Sequence, residues 1–271
     1  MRVEMLAVGK ELLIGRTLNT NAHWVGGRLA RLGSMLKEVT TTDDDLQEIS
    51  DALRASLARS PDFLIVVGGL GPTPDDMTLK GLAVGLGVEL EENPQALSLI
   101  KEHYAERGMS GVELTPARKK MAVLPVGAEP ILNVEGTAPG VRIASGNCVI
   151  FSLPGVPSEM KGIYKRSVEP EVKRRLGDLH RSYLRMKLEG IAESTLAPMI
   201  VGELKRHPTA YVKSHPRGLK GGVSHVELDV AVVGPDKAAV ESEGEEIARS
   251  LTKSAREGGA RVHRMKAGAG R

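Results

Sequence analysis

The segment from residue 63 to residue 78 constrains the fold more than any other part of the chain. Phe63–Val67 is an unbroken, largely β-branched apolar run, which predicts a strand buried on both faces of a parallel sheet. The glycines of Gly68–Gly71 then allow a sharp turn and bring bare backbone N–H groups close to a ligand. Asp75 and Asp76 stand where a helix should begin, as an N-cap or as ligands of a hard cation. A phosphorylated ligand bridged to a divalent metal would use all of these features, whereas the alternative is a tight strand-to-helix turn capped by aspartate.

The first 176 residues alternate strand and helix patterns. Strands are predicted at Val3–Val8, Met35–Thr41 and Phe63–Val67, with helical periodicity between them. This order predicts right-handed crossovers and a parallel sheet covered by helices on both faces, which is a three-layer α/β fold. Ligands of open α/β sheets bind at the carboxyl edge of the strands. Four loops are predicted to lie at that edge: Gly9–Gly15, Thr40–Asp45, Gly68–Asp76 and Pro154–Glu159.

The rest of this first part is less regular. Residues 91–122 carry a helical pattern with a stripe of Leu97, Ile100 and Tyr104. The strands predicted beyond it are Ile131–Asn133, Val141–Ala144 and Cys148–Leu153. A final helix is expected to begin at Pro157 and to continue to about Leu176.

Gly177 and Asp178 mark a predicted boundary, after which residues 177–265 form a smaller α+β domain. Its patterns follow the order strand, helix, strand, strand, helix, strand, which is the ferredoxin-like order. The glycine-rich tail, residues 266–271, is predicted to be disordered.

Composition excludes several classes of protein. The net charge of +3, from 37 basic and 34 acidic residues, and the 3% aromatic content argue against a nucleic-acid partner. Cys148 is the sole cysteine, which excludes an intramolecular disulfide and a cysteine-based zinc site, and we expect it to be a buried small apolar residue. No apolar segment approaches the roughly 20 residues that span a bilayer, and no signal-peptide pattern precedes the first strand. We therefore expect a cytoplasmic protein without a membrane partner.

Five motifs, in order along the chain, resemble those of the CinA family (competence/damage-inducible proteins). These motifs are Gly9–Gly15, Asn19–Ala22, Gly68–Thr78, Asn133–Gly140 and Leu153–Lys161. The core of that family resembles the molybdopterin-binding fold of MogA and MoaB, so the resemblance implies this fold for residues 1–176. Long CinA proteins carry a further domain that deamidates nicotinamide mononucleotide. The chain ends too early for that domain, so deamidase activity is not expected.

The resemblance also implies functional residues. Asp76, Asp44 and Glu159 are predicted as catalytic residues and as ligands of a divalent metal (Mg²⁺, Mn²⁺ or Co²⁺), with K⁺ as a further ion. The alternatives are capping of a helix by Asp43 or Asp44, and plain stabilisation of a helix dipole by Asp76 or Glu159. Arg118–Lys120 is better explained as a solvated helix face than as a diphosphate clamp. The other predicted ligand-binding residues lie in the motif loops: Gly9, Glu11, Asn21, Gly68, Gly69, Gly71, Thr73, Thr78, Gly136, Thr137, Pro154 and Gly155.

The activity implied first is divalent-metal-dependent hydrolysis of the diphosphate of ADP-ribose or of a related dinucleotide such as FAD. A metal-bound water would attack, and the N–H groups of Gly69–Gly71 would stabilise the developing charge. The alternative is a molybdopterin-binding or molybdopterin-adenylylating protein of molybdenum cofactor biosynthesis, and the third hypothesis is a non-catalytic ligand-binding scaffold. ADP-ribose, FAD and molybdopterin all present a phosphate or diphosphate to the same loop. We also expect a homodimer or a homotrimer, because the fold relatives associate.

Overall fold

The computed structural model describes residues 1–109 and 113–265, which form two compact units. Met1–Ala30 and Ser34–Gly177 make up the first unit, whereas Arg31–Gly33 group with the described residues from Asp178 onward in the second. No sequence feature predicts this grouping of Arg31–Gly33. That each unit is a domain able to fold by itself stays a prediction, and the tail predicted to be disordered, residues 266–271, lies outside the described residues.

The first unit contains a six-stranded sheet and a separate two-stranded pair. The strands are β1 (Val3–Val8), β2 (Leu36–Thr42), β3 (Phe63–Val67), β4 (Leu90–Glu92), β5 (Val123–Pro125), β6 (Glu129–Ile131), β7 (Gly140–Ser145) and β8 (Cys148–Leu153). The main sheet has the order β2-β1-β3-β8-β7-β6, and β4 pairs with β5. Neighbouring strands are parallel from β2 to β8, whereas β7 is antiparallel to both of its neighbours.

Strand β3 has the predicted bounds and the predicted burial. Every residue of Phe63–Val67 is buried, and the strand pairs with β1 on one side and with β8 on the other. Its apolar composition is therefore explained by a central position in a sheet that is covered on both faces. Because β1, β2, β3 and β8 are parallel, their carboxyl ends bring the following loops to one edge of the sheet.

Helices cover this sheet. They are α1 (Lys10–Leu13), α2 (Thr20–Arg31), α3 (Leu46–Ala58), α4 (Thr78–Leu86), α5 (Pro94–Glu106), α6 (Pro116–Lys120), α7 (Pro157–Ile163) and α8 (Glu169–Leu176). A π-helical segment, Tyr164–Val168, joins α7 to α8, so the predicted final helix is continuous with one local irregularity. Among the described residues no helix is both long enough and apolar enough to cross a membrane.

Two sequence predictions in this unit need correction. The helical pattern predicted over 91–122 is interrupted, because β4 and β5 pair with each other and Asn93 starts α5 by accepting a hydrogen bond from the N–H of Ala96 at 3.0 Å. The strand predicted at Ile131–Asn133 lies two residues earlier, at Glu129–Ile131. Asn133 is excluded from the strand because its side chain organises the next turn.

The second unit has an antiparallel sheet packed against two helices. Its elements are β9 (His180–Glu189), α9 (Glu193–Arg206), β10 (Tyr211–Lys220), β11 (Val223–Gly234), α10 (Lys237–Glu257) and β12 (Arg261–Met265). The strand order β10-β11-β9-β12, with every neighbouring pair antiparallel, confirms the predicted ferredoxin-like arrangement. Alternate residues of β9 and β11, such as Met186, Leu188 and Leu228, form its core with α10.

Candidate functional site

The loops that follow β1, β2, β3 and β8 are neighbours at the carboxyl edge of the main sheet. The N–H of Gly9, after β1, donates to the carbonyl oxygen of Thr42 at the end of β2, at 3.1 Å. The N–H of Gly68, after β3, donates to the carbonyl oxygen of Leu153 at the end of β8, at 3.0 Å. The loops predicted to meet around one ligand are therefore joined pairwise by backbone hydrogen bonds.

The glycine loop after β3 is held by its contacts with β1 and α4. Gly68 has a φ of +112°, and a Cβ there would lie 2.1 Å from the carbonyl oxygen of Val8, so only glycine fits. The hydroxyl of Thr78 donates to the carbonyl oxygen of Gly68 at 2.8 Å, and its N–H donates to that of Gly69 at 3.2 Å. Thr78 is fully buried. Its hydroxyl, predicted to bind the ligand, thus fixes the loop.

Three consecutive N–H groups of this loop have no partner among the residues that the structure describes. Within the described part of the chain, the N–H groups of Gly69, Leu70 and Gly71 donate to no protein acceptor. The Leu70 side chain is buried and anchors the loop. Successive unpaired N–H groups just before a helix form a concavity that binds anions. The glycine loop therefore has the donors that a phosphate requires.

Asp76 closes the turn before α4 instead of capping that helix. Its Oδ2 accepts a hydrogen bond from the N–H of Thr73 at 2.8 Å and another from the hydroxyl of Thr73 at 2.6 Å. The N-cap residue of α4 is Met77, whose side chain makes no capping bond. The prediction that Asp75 or Asp76 caps the helix is wrong, because the helix begins later, at Thr78. The N–H and the hydroxyl of Thr73, a residue predicted to bind the ligand, are thus both bonded within the turn.

The three consecutive aspartates after β2 accept hydrogen bonds from different groups. Asp45 caps α3 by accepting from the N–H groups of Gln47 and Glu48, at 2.9 and 3.0 Å. Capping by Asp43 or Asp44 was therefore the wrong prediction. Asp44 instead accepts from the N–H of Lys10 at 2.9 Å, and Asp43 pairs with the Lys10 ammonium at 3.2 Å. Asp43 and Asp44 thus both reach the loop after β1, Asp44 through the backbone N–H and Asp43 through the side chain of Lys10.

The side of the site formed by β1 and β2 is acidic. Burial raises the pKa of Asp44, and the carboxylates of Glu11, Asp43 and Asp75 raise it further, whereas the hydrogen bond from Lys10 lowers it. Negative charges gathered around Asp44 favour a ligand group that donates hydrogen bonds or carries positive charge.

Glu159 holds the loop between β6 and β7. Its Oε2 accepts from the side-chain amide of Asn133 at 2.7 Å, and the same amide donates to the carbonyl oxygen of Ala138 at 2.8 Å. The Oδ1 of Asn133 accepts from the N–H of Gly136 at 3.0 Å. The carboxylate of Glu159 lies directly against Gly136, where a Cβ would be 2.1 Å from its carboxyl carbon, so a side chain at residue 136 would displace the carboxylate from this position. Sequence reasoning missed Asn133, which is buried; an Asn next to a Gly-rich turn was the available signal.

The remaining predicted residues line the loops after β1 and β8. Asn21 donates from its amide to the carbonyl oxygen of Gly155 at 2.8 Å, while its buried Oδ1 has no hydrogen-bond partner among the described residues. The carboxylate of Glu11 lies against Gly9, where a Cβ would be 2.6 Å from its Oε1. Pro154 is buried, and Thr137 is half-buried beyond the Glu159 contact.

The three predicted metal ligands do not assemble into a metal site. Asp76 is bonded to Thr73, Asp44 to Lys10, and Glu159 to Asn133. Among residues 1–109 and 113–265, no group of three or more His, Cys, Asp or Glu side chains is arranged to hold a metal ion. The binding of a divalent cation by any of these carboxylates, and the binding of K⁺, therefore stay predictions.

A cavity of about 440 Å³ lies beside the glycine loop, a volume typical of small-molecule sites. Backbone and apolar side chains form most of its wall, and three lysines give it positive charge. The charged lining residues are Lys80, Lys119, Lys120 and Asp76, and they lie beside Gly69, Gly71 and Met77.

Lys120 is the functional residue that the sequence interpretation placed wrongly. It was assigned to a solvated helix face, yet its ammonium donates to the carbonyl oxygens of Gly71, Thr73 and Asp76. Burial lowers the pKa of Lys120, and the negative charges of Asp76 and Asp75 oppose that change. Lys119, its neighbour on α6, is exposed.

An open, mostly parallel sheet with unpaired N–H groups and a basic cavity at its carboxyl edge is typical of α/β proteins that bind a small anionic ligand. The chain belongs to the family described as "Probable molybdopterin binding domain", whose model matches residues 4–174.

Relatives cover most of the chain. A protein from Pyrobaculum arsenaticum is 41% identical over 236 residues, which are 87% of this chain and 88% of the relative. A protein from Aeropyrum pernix is 41% identical over 229 residues, 84% of each chain. The crystal structure of the CinA protein of unknown function from Thermoplasma acidophilum is similar with a TM-score of 0.58 and 41% identity, covering 64% of this chain and 99% of that one. The resemblance to CinA and the molybdopterin-binding type of fold are thus confirmed.

Proposed function

We propose that the chain binds a molybdopterin-type ligand with its phosphate on the N–H groups of Gly69–Gly71. The observation that carries this proposal is the row of three N–H groups without a protein acceptor, which opens beside a cavity of about 440 Å³. Membership of a family described as probable molybdopterin binding supports the class of ligand.

The charges around the loop determine the orientation of the ligand in this proposal. Lys80 and Lys119 line the cavity on the α4 and α6 side, where a phosphate gains favourable electrostatic energy. Asp44 and Glu11 stand on the β1 and β2 side, where carboxylates accept hydrogen bonds from ring N–H and amino groups, which a pterin carries. The orphaned Oδ1 of Asn21 is a further acceptor.

The proposal is a binding function. Neither the family description nor the placement of Asp76, Asp44 and Glu159 supports hydrolysis of ADP-ribose or FAD, because these carboxylates are bonded to separate protein partners. Adenylylation of the bound ligand stays a prediction, and a scaffold that binds without chemistry fits the same geometry.

The test is retention of ligand. The protein is incubated with molybdopterin and separated by gel filtration, and the bound pterin is oxidised and measured by fluorescence. We expect wild type to retain pterin, and Lys119→Glu to weaken binding by about tenfold or more, since it places a negative charge near a phosphate. Lys101→Glu makes the same change on α5 outside the cavity lining and should bind like wild type. Absence of pterin from wild type, or equal losses in both variants, would refute the proposal.

Turnover is measured on the same protein. AMP released from ADP-ribose in the presence of Mg²⁺, Mn²⁺ or Co²⁺, with and without K⁺, would restore the hydrolase hypothesis. Consumption of ATP together with bound molybdopterin would instead extend the proposal to adenylylation.

A further inference from the structure

The ammonium of Lys120 is surrounded by carbonyl oxygens of the glycine loop. Its Nζ donates to the carbonyl oxygen of Asp76 at 2.7 Å, to that of Gly71 at 3.5 Å and to that of Thr73. Lys120 belongs to α6, so the contact joins two segments that are far apart in the sequence.

We infer that Lys120 is a positioning residue, whose ammonium orients the anion-binding loop without contacting the ligand's phosphate. This inference rests on the proposed function. The carbonyl of Gly71 belongs to the peptide group that directly follows the last of the three N–H groups, so holding it limits rotation of the backbone at Gly71. Carbonyl oxygens turned toward a phosphate would repel it. By donating hydrogen bonds to those of Gly71, Thr73 and Asp76, Lys120 holds the segment that follows the N–H groups of Gly69–Gly71 and restricts the backbone that presents them to the anion.

The chemistry of lysine suits this task. An ammonium is compact and has three donors, which matches three carbonyl oxygens around one point, whereas the guanidinium of arginine is a planar fork. Burial lowers the pKa of Lys120 because its ammonium has lost part of its water, and the protein acceptors take the place of that water. Lys119 lines the same cavity and is exposed, so it carries the same charge without these contacts.

The binding test uses inorganic pyrophosphate as the probe and calorimetry as the measurement. Lys120→Met should weaken the Kd by about 10- to 100-fold, because carbonyl oxygens lose their donors and the loop loses its orientation. Lys119→Met removes the same charge from the cavity. Its loss of affinity for pyrophosphate should be several times smaller than that of Lys120→Met. Lys120→Arg keeps the positive charge but not the geometry of the three hydrogen bonds. Its affinity for pyrophosphate should therefore stay well below that of wild type. Equal losses in the two Met variants, full binding by Lys120→Arg, or no binding by wild type would overturn the inference.

Hydrogen exchange gives a second readout that needs no ligand. In Lys120→Arg the amides of Thr73 and Asp76, which are bonded within the loop, should exchange faster than in wild type, whereas those of β3 should not change. Unchanged exchange at Thr73 and Asp76 would overturn the inference. Pterin retention with pyrophosphate binding insensitive to Lys120 would refute this inference alone, and Lys120-dependent pyrophosphate binding without pterin retention would refute only the proposed ligand.

Discussion

At Asp76 one carboxylate oxygen holds the turn that precedes α4. It accepts hydrogen bonds from the N–H and the hydroxyl of Thr73, at 2.8 and 2.6 Å. Bonds to an ionised acceptor are roughly twice as strong as neutral ones, so the charge of Asp76 stabilises the shape of the loop. A metal or ligand at this oxygen would compete with both bonds. The residue is therefore better understood as part of the framework of the site.

Substitutions at Asp76 separate its hydrogen bonds from its charge. We expect Asp76→Ala to lower the free energy of unfolding by about 1–2 kcal/mol, because both donors of Thr73 lose their acceptor. Asp76→Asn keeps an acceptor oxygen, so its free energy of unfolding should fall by about half of the decrease in Asp76→Ala or less. Urea denaturation measures both. If Asp76→Ala were as stable as wild type, the contacts described would be contradicted. If Asp76→Ala and Asp76→Asn lost the same free energy of unfolding, the charge of Asp76 alone would account for its effect.

At the level of elements, β1 is joined to the end of α3 by a buried carboxylate. Glu4 interrupts an otherwise apolar strand, and its side chain is 1% exposed. Burial alone would raise the pKa of Glu4, but hydrogen bonds from Arg59, Ser56 and Arg2 outweigh burial and lower the pKa to about 2. The closest of these bonds to Arg59 and to Ser56 are both 2.6 Å long. A polar residue in a central strand is thus tolerated because its charge is fully paired.

This pairing predicts how stability depends on pH. The pKa of Glu4 is lower in the folded chain than its ordinary value of 4.5, so its contribution is complete above pH 4.5 and disappears as the pH falls toward 2. The contribution lost is on the order of 3 kcal/mol. We expect the difference in unfolding free energy between wild type and Glu4→Gln, measured by chemical denaturation, to shrink across that range. A difference independent of pH would contradict the assignment.

Elements with a strong local signal were predictable, and contacts between distant segments were not. Phe63–Val67 and Cys148–Leu153 have the predicted bounds because a continuous apolar run can only be satisfied inside the sheet. Two residues of the strand Leu90–Glu92, Glu91 and Glu92, fall within the predicted helical pattern, because a three-residue strand is defined by its partner, Val123–Pro125, and not by its own pattern. The bonds of Lys120 to the glycine loop are also between distant segments, so residue type alone pointed to the surface.

For the whole molecule, the order of elements predicted the parallel part of the first sheet and the order of the second, but it did not predict that β7 is antiparallel to β6 and β8. Right-handed crossovers place β1, β2 and β3 side by side, and the alternation after Gly177 yields the ferredoxin-like order. The site was predictable only as a set of loops. Which carboxylate points to which partner depends on turns such as that of Asp45, which takes the capping role expected of Asp43 or Asp44.

Exposed apolar side chains near α1 bear on the oligomeric state of the protein. Three apolar side chains near α1 are more than half exposed: Leu13 at 52%, Ile14 at 65% and Leu18 at 82%. Exposed apolar clusters mark interfaces, so we expect a homodimer or homotrimer that covers this segment. Light scattering should give two or three times 29.0 kDa, and Leu18→Asp should shift the mass toward 29.0 kDa.

Leu219→Asp, at a side chain 74% exposed in the second unit, serves as the matched control and should leave the mass unchanged. A wild-type mass of 29.0 kDa at every concentration would contradict the expected assembly, and a shift in the control alone would place the interface on the second unit.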